Sequence, residues 1–372
     1  MTMASSKISR ALTDDQKRVL RTLRTEGPRS RIELSRRLDL NGTAVTRACQ
    51  TLITGGFILE TEALRAARGR PSLPLEVRPG NVCAIGAALQ PGTVDVALVD
   101  LIGRPIAKGG FDFADEDPSR FAAALAEEAT RLIEASNLEP SSFLGYGVSV
   151  PGYVGLEEGR RHTVERLKSW RGLNLPVTLG RSLGARVWVE NDANAAALAE
   201  SYAAGRAGGD MLVFYLGHGV GGAAIVDGNL FRGAFGNAGE IGLLYPLDKS
   251  RPSAVDLLRR LEQSGAGPVT VADLADLMAS RPDFFAEWAL QAADQLEAAA
   301  LSGVAWLDPA SIVLSGVLPR PLLATMRDRL DVGVWRSRLD GRRQPVVSIS
   351  DLGGFAGAIG AGLLPVHDLI GG

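Results

Sequence analysis

Near the amino terminus, apolar positions recur at the helical period behind two clear start signals. Thr13 with Gln16 and Ser30 with Glu33 fit the capping box, a hydroxyl at the N-cap and Glu or Gln three residues on. They predict a first helix over residues 14–25, with Val19, Leu20 and Leu23 inward, and a second carrying Ile32, Leu34 and Leu38. Leu40-Asn41-Gly42 breaks the chain, and Val45, Cys49 and Leu52 at i, i+4, i+7 predict a third helix over 42–54. Short helices joined by a tight turn make a helix-turn-helix. Gly55-Gly56 ends the third helix, and Phe57–Leu59 and Leu73–Val77 read as two strands around a basic tip, a wing. Beyond residue 80 strands and helices alternate. A hairpin turns at Ile102-Gly103-Arg104, a helix follows near 118–136, and Tyr146–Val150 and Val187–Val189 are strands. Helices dominate 253–307, Ile312–Leu314 and Val346–Ser350 are strands, and GGFAGAIGAGLL opens a small-residue helix. The alternation predicts an α/β fold, and the length predicts two lobes with a cleft between them.

Composition adds limits. The 372 residues are 46% hydrophobic and 22% charged, as in soluble globular chains. No apolar run approaches the ~20 residues of a membrane span, so no membrane partner is expected. MTMASSKISR has no apolar signal region, so a cytoplasmic location is expected. Cys49 and Cys83 are too few for a disulfide framework or a multi-cysteine zinc site and read as small buried hydrophobes. Charge is divided unevenly. Residues 1–80 carry 15 Lys+Arg against 8 Asp+Glu, the remainder 25 against 34. A basic head on an acidic body suits a nucleic-acid-binding domain joined to a non-binding one. The third helix presents Thr43, Thr46, Arg47 and Gln50 opposite its apolar face, groups that reach base edges and phosphates; the plain alternative is a solvated helix face. At the wing tip, Arg68-Gly69-Arg70-Pro71 resembles the core of the AT-hook, which places arginine in narrow A·T minor grooves. Arg68 and Arg70 therefore join the candidate DNA contacts.

The stretch VENDANAAALAE (189–200) ends a strand and opens an Ala-rich helix, with Asn191 and Asp192 at the junction. SVPGYV precedes it, and LGHGVGG and DGNLFRGAFGNAGEIG follow. In order and spacing, over nearly the whole chain, these motifs resemble the transcriptional regulators of the ROK family (repressors, open reading frames, sugar kinases). The resemblance implies a winged helix-turn-helix over residues 1–78 and a two-lobed, actin-like (ribonuclease H-like) sugar-kinase fold over 79–372. It implies a sugar-responsive regulator whose partners are a double-stranded DNA operator and a sugar effector, assembled as a homodimer or homotetramer. Asp192 matches the position of the family's general base, and Asn191 and Glu240 match two hydroxyl-binding positions. The structural alternative for Asp192 is the N-cap of the Ala-rich helix.

Other family features are absent. Where the phosphate-gripping DxGGT would stand, alignment places Ala88, Gln90, Pro91 and Gly92, which removes the metal carboxylate and one N–H donor. His218 stands where the second phosphate loop usually has Thr. Leu243 follows the GEIG turn where a zinc-binding His is usual, and PLDKSRPSAVDLL has no cysteine. A regulator with no catalytic residue, cofactor or metal is thus expected. An active sugar kinase and a ligand-free oligomerisation or protein-binding module are the alternatives. His218 is able to face the cleft, whereas His162 and His367 read as solvated or incidental. Trp170, Trp188 and Trp306 read as filling cores or interfaces.

Overall fold

The computed structural model describes residues 12–61, 73–138, 143–157, 160–203, 209–246 and 248–371. The head comprises α1 (Asp14–Glu26), α2 (Arg31–Leu38), α3 (Gly42–Thr54), β1 (Ile58–Glu60) and β2 (Leu75–Val77). Both capping boxes form, at Thr13 with Gln16 and at Ser30 with Glu33. Asn41 caps α3, its Oδ1 accepting from the Ala44 N–H at 2.8 Å. Val19, Leu20, Leu34, Val45, Cys49 and Leu52 are buried together. Ile32 is 59% exposed. Two residues correspond to about 200° around a helix, so Ile32 and the buried Leu34 cannot share a face. β1 and β2 pair antiparallel, Ile58 opposite Val77. The wing tip with Arg68 and Arg70 lies outside the described residues.

The body repeats one plan twice. Its first sheet comprises β3 (Cys83–Leu89), β4 (Gly92–Asp100), β5 (Pro105–Phe113), β6 (Phe143–Ser149) and β9 (Val187–Glu190), in the order β5-β4-β3-β6-β9. β3 to β5 form an antiparallel meander, and β6 and β9 add parallel to it. α4 (Pro118–Ala135) links β5 to β6. The hairpin β7 (Gly152–Val154) and β8 (Arg161–Thr163), then α5 (Leu175–Leu183), link β6 to β9. α6 (Asp192–Tyr202) leads to the second sheet. That sheet comprises β10 (Met211–Leu216), β11 (Val220–Val226), β12 (Asn229–Leu230), β13 (Ser311–Gly316) and β14 (Val346–Ile349), in the order β12-β11-β10-β13-β14. Again a meander is extended by two parallel strands. α7 (Ala254–Leu261), α8 (Leu274–Ser280), α9 (Pro282–Leu307) and α10 (Arg320–Asp331) cover this lobe, and α11 (Ala356–Leu369) ends the chain's regular structure.

α6 and α11 cross at the centre of the body, and small residues let them approach. A Cβ on Gly360 would lie 1.6 Å from the Ala195 carbonyl oxygen. On its other side α11 lies on β3 and β6, where a Cβ on Gly86 or Gly147 would meet α11 backbone oxygens at 1.9 and 1.7 Å. The head does not stand apart on its own core. Leu20, Leu34 and Leu52 belong to one buried cluster with Leu101, Tyr202 and Leu363 of the body. His367, read from sequence as incidental, is buried in the last turn of α11 because that turn packs beneath the head. Cys49 and Cys83 are buried and form no disulfide. Trp170 is buried and Trp188 lies beneath the Arg186 guanidinium. Trp306 is 85% exposed. It stands two positions from the buried Val304 and so points away from the α9 core face.

Candidate functional site

The parallel strand β9 ends at Glu190, and the chain turns directly into α6. Asn191 is the N-cap: its Oδ1 accepts from the N–H groups of Ala193 (2.8 Å) and Asn194 (3.3 Å). The cap reading of Asp192 is therefore corrected, because the capping bonds fall one residue earlier. The Asn191 Nδ2 donates to the Gly152 carbonyl at 2.8 Å, which leaves one amide N–H for a ligand. Asp192 is half-buried at the positive end of α6 and accepts from the Ala193 N–H at 3.0 Å. Burial raises its pKa, opposed by that N–H and by Arg161 and Arg166.

Glu240 reaches the same cleft from the other lobe, on a glycine turn. Gly239 has φ 90°, and a Cβ there would lie 2.3 Å from the Gly222 carbonyl oxygen, so only glycine lets this turn lie on β11. Burial, then the Asp192 charge, raises the Glu240 pKa, and Arg161 opposes. The cleft holds about 430 Å³ and is bordered by Gln90, Pro91, Asn191, Asp192, His218 and Glu240. Asn191, Asp192 and Glu240 are thus brought together, although two come from one lobe and the third from the other. Paired carboxylates suit neighbouring hydroxyls, since each oxygen accepts more than one hydrogen bond.

Sequence reasoning did not single out several residues around this cleft. Arg166, in the 3-10 turn Glu165–Trp170, lines the cleft wall and donates to the Leu89 carbonyl at 3.1 Å. A single arginine in a loop carries no periodic signal. His218, which the sequence left able to face the cleft, does border it; burial, and secondarily Arg166, pushes it down to about 4, so it is neutral at pH 7. Glu190 is 5% exposed and clasped by Arg161 at 2.8 Å and by Arg232 of the second lobe at 3.0 Å. Burial pulls its carboxyl upward, but the two guanidiniums and the Asn191 and Asn194 hydrogen bonds win and hold it low. Asn237 of the second lobe bonds both the N–H and the carbonyl of Val154, at 2.7 and 3.1 Å. These contacts join the lobes beside the cleft.

The β3–β4 turn also borders the cleft. Gln90 N–H bonds the Thr93 carbonyl at 2.9 Å, Pro91 has no N–H, and Ala88 is buried against α11. This turn does not fit a metal-bound phosphate. The zinc stretch does not fit its metal either. Leu243 is 88% exposed, and among the described residues no group of three His, Cys, Asp or Glu is placed to hold an ion. The loop is held by hydrogen bonds instead. Arg251 donates to the carbonyls of Tyr245 (2.9 Å) and Gly242 (3.4 Å), and Gln295 donates to the Ser250 carbonyl at 3.2 Å.

A second candidate surface lies on the head. Thr43, Thr46, Arg47 and Gln50 are all exposed on one face of α3, along a shallow groove. The Thr46 hydroxyl bonds back to the Gly42 carbonyl at 2.8 Å, and Arg47 makes no ion pair among the described residues.

The ROK family profile matches residues 95–254. The chain is 31% identical to "Uncharacterized protein y4fQ" of Sinorhizobium fredii over 90% of its own length and 86% of that protein. It is 29% identical to the xylose repressor of Caldicellulosiruptor bescii, over 60% of this chain and 56% of the repressor, so the alignment spans little more than half of that relative. A solved ROK family transcriptional regulator, a homologue of the E. coli MLC protein, superposes with TM-score 0.68 at 21% identity over 96% of both chains, a likeness of fold. The duplicated sheets, the motif-bearing cleft and the matched length lead to one conclusion: this chain belongs to the ROK family.

Proposed function

We propose that the chain is a DNA-binding transcriptional regulator of carbohydrate-metabolism genes, acting as a repressor. A sugar or sugar derivative, held in the cleft by Asp192, Glu240 and the free N–H of Asn191, sets its affinity for a double-stranded operator. The observation that carries the reading is the union, in one chain, of an exposed polar face on α3 with a hydroxyl-binding cleft whose phosphate turn has Ala88 and Pro91. The name of the xylose repressor relative supports the same direction. The head binds as a dimer to a two-fold site, with Thr43, Thr46, Arg47 and Gln50 in the major groove and Arg68 and Arg70 in the adjacent minor groove. The body is non-catalytic. A sugar that favours one inter-lobe angle works against the Glu190–Arg232 and Asn237–Val154 contacts and so repositions the heads.

The test is a thermal-shift screen of sugars and sugar phosphates with wild type and Asp192→Asn. A ligand present at 100 times its Kd stabilises the folded state by about 2.7 kcal/mol, and Asp192→Asn is expected to weaken binding at least tenfold, about 1.4 kcal/mol. No shift with any sugar would leave the body as an oligomerisation module. ADP release from ATP in the presence of the bound sugar would overturn the non-catalytic reading, since Asp192 occupies the general-base position.

The head is tested separately on operator fragments selected from genomic DNA. Arg47→Ala is expected to weaken binding by about 1–3 kcal/mol, roughly fivefold to 150-fold, without changing the melting temperature. Equal affinity in gel-shift titrations at fixed salt would remove α3 from the interface.

A further inference from the structure

A cavity of about 360 Å³ lies where α1 and α2 of the head meet the end of α6, the β11–β12 turn and the last turn of α11. It is separate from the inter-lobe cleft: Asp192 opens α6 at the cleft, and Ser201 borders this cavity near the other end of that 11-residue helix, about 16 Å long. Its volume is in the lower range of small-molecule sites. One side is head (Arg21, Arg24) and the other is body (Ser201, His367), so anything held here touches both.

Two residues that border it carry buried polar atoms with no partner among the described residues. The Arg24 guanidinium stacks on the Tyr202 ring at 3.8 Å, and its Nε is buried without a partner among the described residues. The Tyr202 hydroxyl lies 3.3 Å from Nδ1 of His367. His367 is only 6% exposed, and its Nε2 is likewise buried and unpartnered. Burial raises the Tyr202 pKa, so its hydroxyl keeps a proton, and no other acceptor for that proton is found among the described residues. Tyr202 therefore donates to Nδ1, and the neutral ring of His367, a residue that borders the cavity, carries its own proton on Nε2. Burial, followed by the charges of Arg232, Arg24 and Arg21, pushes His367 down to about 4. The acids nearby do not answer these donors. Glu26 is engaged by Arg37 at 2.9 Å and Arg29 at 3.7 Å, and Asp227 is exposed at the rim.

Neutralising the carboxyl ends of helices explains Arg21, which reaches the Ile370 carbonyl at 3.4 Å behind α11. It does not explain two buried donors, on the cavity-bordering residues Arg24 and His367, that have no acceptor among the described residues, because buried polar groups are nearly always satisfied. We propose that this cavity is a second ligand site, taking a small oxyanion-bearing metabolite, a phosphate ester or carboxylate, on Arg21, Arg24 and His367. The stacked guanidinium of Arg24 presents its edge for a forked bond to the oxyanion. The ligand bridges head and body, favours the docked head, and gives the regulator an input independent of the sugar cleft.

The experiment uses the full chain with millimolar inorganic phosphate or succinate against chloride at matched ionic strength. Phosphate, succinate or both are expected to raise the melting temperature, and which of them acts identifies the ligand's oxyanion. The chain has three histidines, so the His367 ring resonance can be followed by NMR; its titration midpoint is expected to rise by about one unit or more as the anion binds. Arg24→Gln and His367→Gln are expected to abolish the stabilisation, and Asp192→Asn to retain it, which separates this site from the sugar reading. Should either variant fail to fold, Arg24→Lys, which keeps the charge but loses the fork, is expected to reduce the response at least several-fold. No response to either anion, or a response undiminished in the folded Arg24 and His367 variants, would overturn the proposal.

Discussion

Gly360→Ala is expected to destabilise the folded chain by about 3 kcal/mol or more, the upper end of overpacking costs. The added Cβ would sit 1.6 Å from the Ala195 carbonyl oxygen, and the obstacle is backbone, which cannot rotate aside. Nor can α11 retreat, because Gly86 and Gly147 already bring β3 and β6 against its opposite side. α6 must move instead, and α6 carries Asp192 at its start. Any folded remainder is therefore also expected to lose affinity in the sugar cleft. Gly354→Ala is the control: it lies just before the same helix, has open space at its Cβ and needs no positive φ. It is expected to change stability by no more than about 0.5–1 kcal/mol, in the stabilising direction. Urea midpoints of the two variants against wild type decide the matter, and equal midpoints would mean that the α6–α11 crossing tolerates a methyl group.

The features read correctly from the sequence are those whose causes are local. Thr13, Gln16, Ser30 and Glu33 define helix starts through bonds spanning three residues, and both capping boxes are present. The wing strands follow from Gly55-Gly56 and a short apolar run, and pair as expected where they are described. The strand–turn–helix at VENDANAAALAE is local too, although the choice of cap is subtler. Asn191 and Asp192 both have a side chain suited to capping, and only the extended backbone of Asn191, with ψ 154°, settles it. What escaped sequence reasoning depends on distant segments. Arg161, Glu190 and Arg232 form one clasp only because β8, β9 and the loop after β12 converge. His367 in a terminal helix turn reads as incidental until the head packs over it. Trp306 reads as filling a core or an interface, and its helical phase turns it away from the core of its own chain.

Asp256→Ala is expected to cost about 3 kcal/mol, the low end for breaking a buried ion pair. Asp256 is 2% exposed and accepts from Arg259 at 2.6 Å, Arg260 at 2.9 Å and the Trp288 indole N–H at 3.1 Å. The guanidiniums are partly exposed and regain water when the carboxylate is removed, which keeps the cost from the top of the range. The Trp288 N–H is buried and does not, so it is left unsatisfied. Asp256→Asn retains an acceptor for that N–H and is expected to cost about half as much. The cluster stands where relatives are expected to carry zinc. Arg260 also donates to Ser250, and Gln295 holds the Ser250 carbonyl, so Asp256 is tied to the loop that follows the Glu240 turn. Loosening it is expected to shift tryptophan fluorescence to the red and to weaken sugar binding in the cleft, while a chelator leaves wild-type stability unchanged. A wild-type melting temperature that falls on chelation would show a metal ordering this loop; an Asp256→Ala variant as stable as wild type would show that the ion cluster does not hold it.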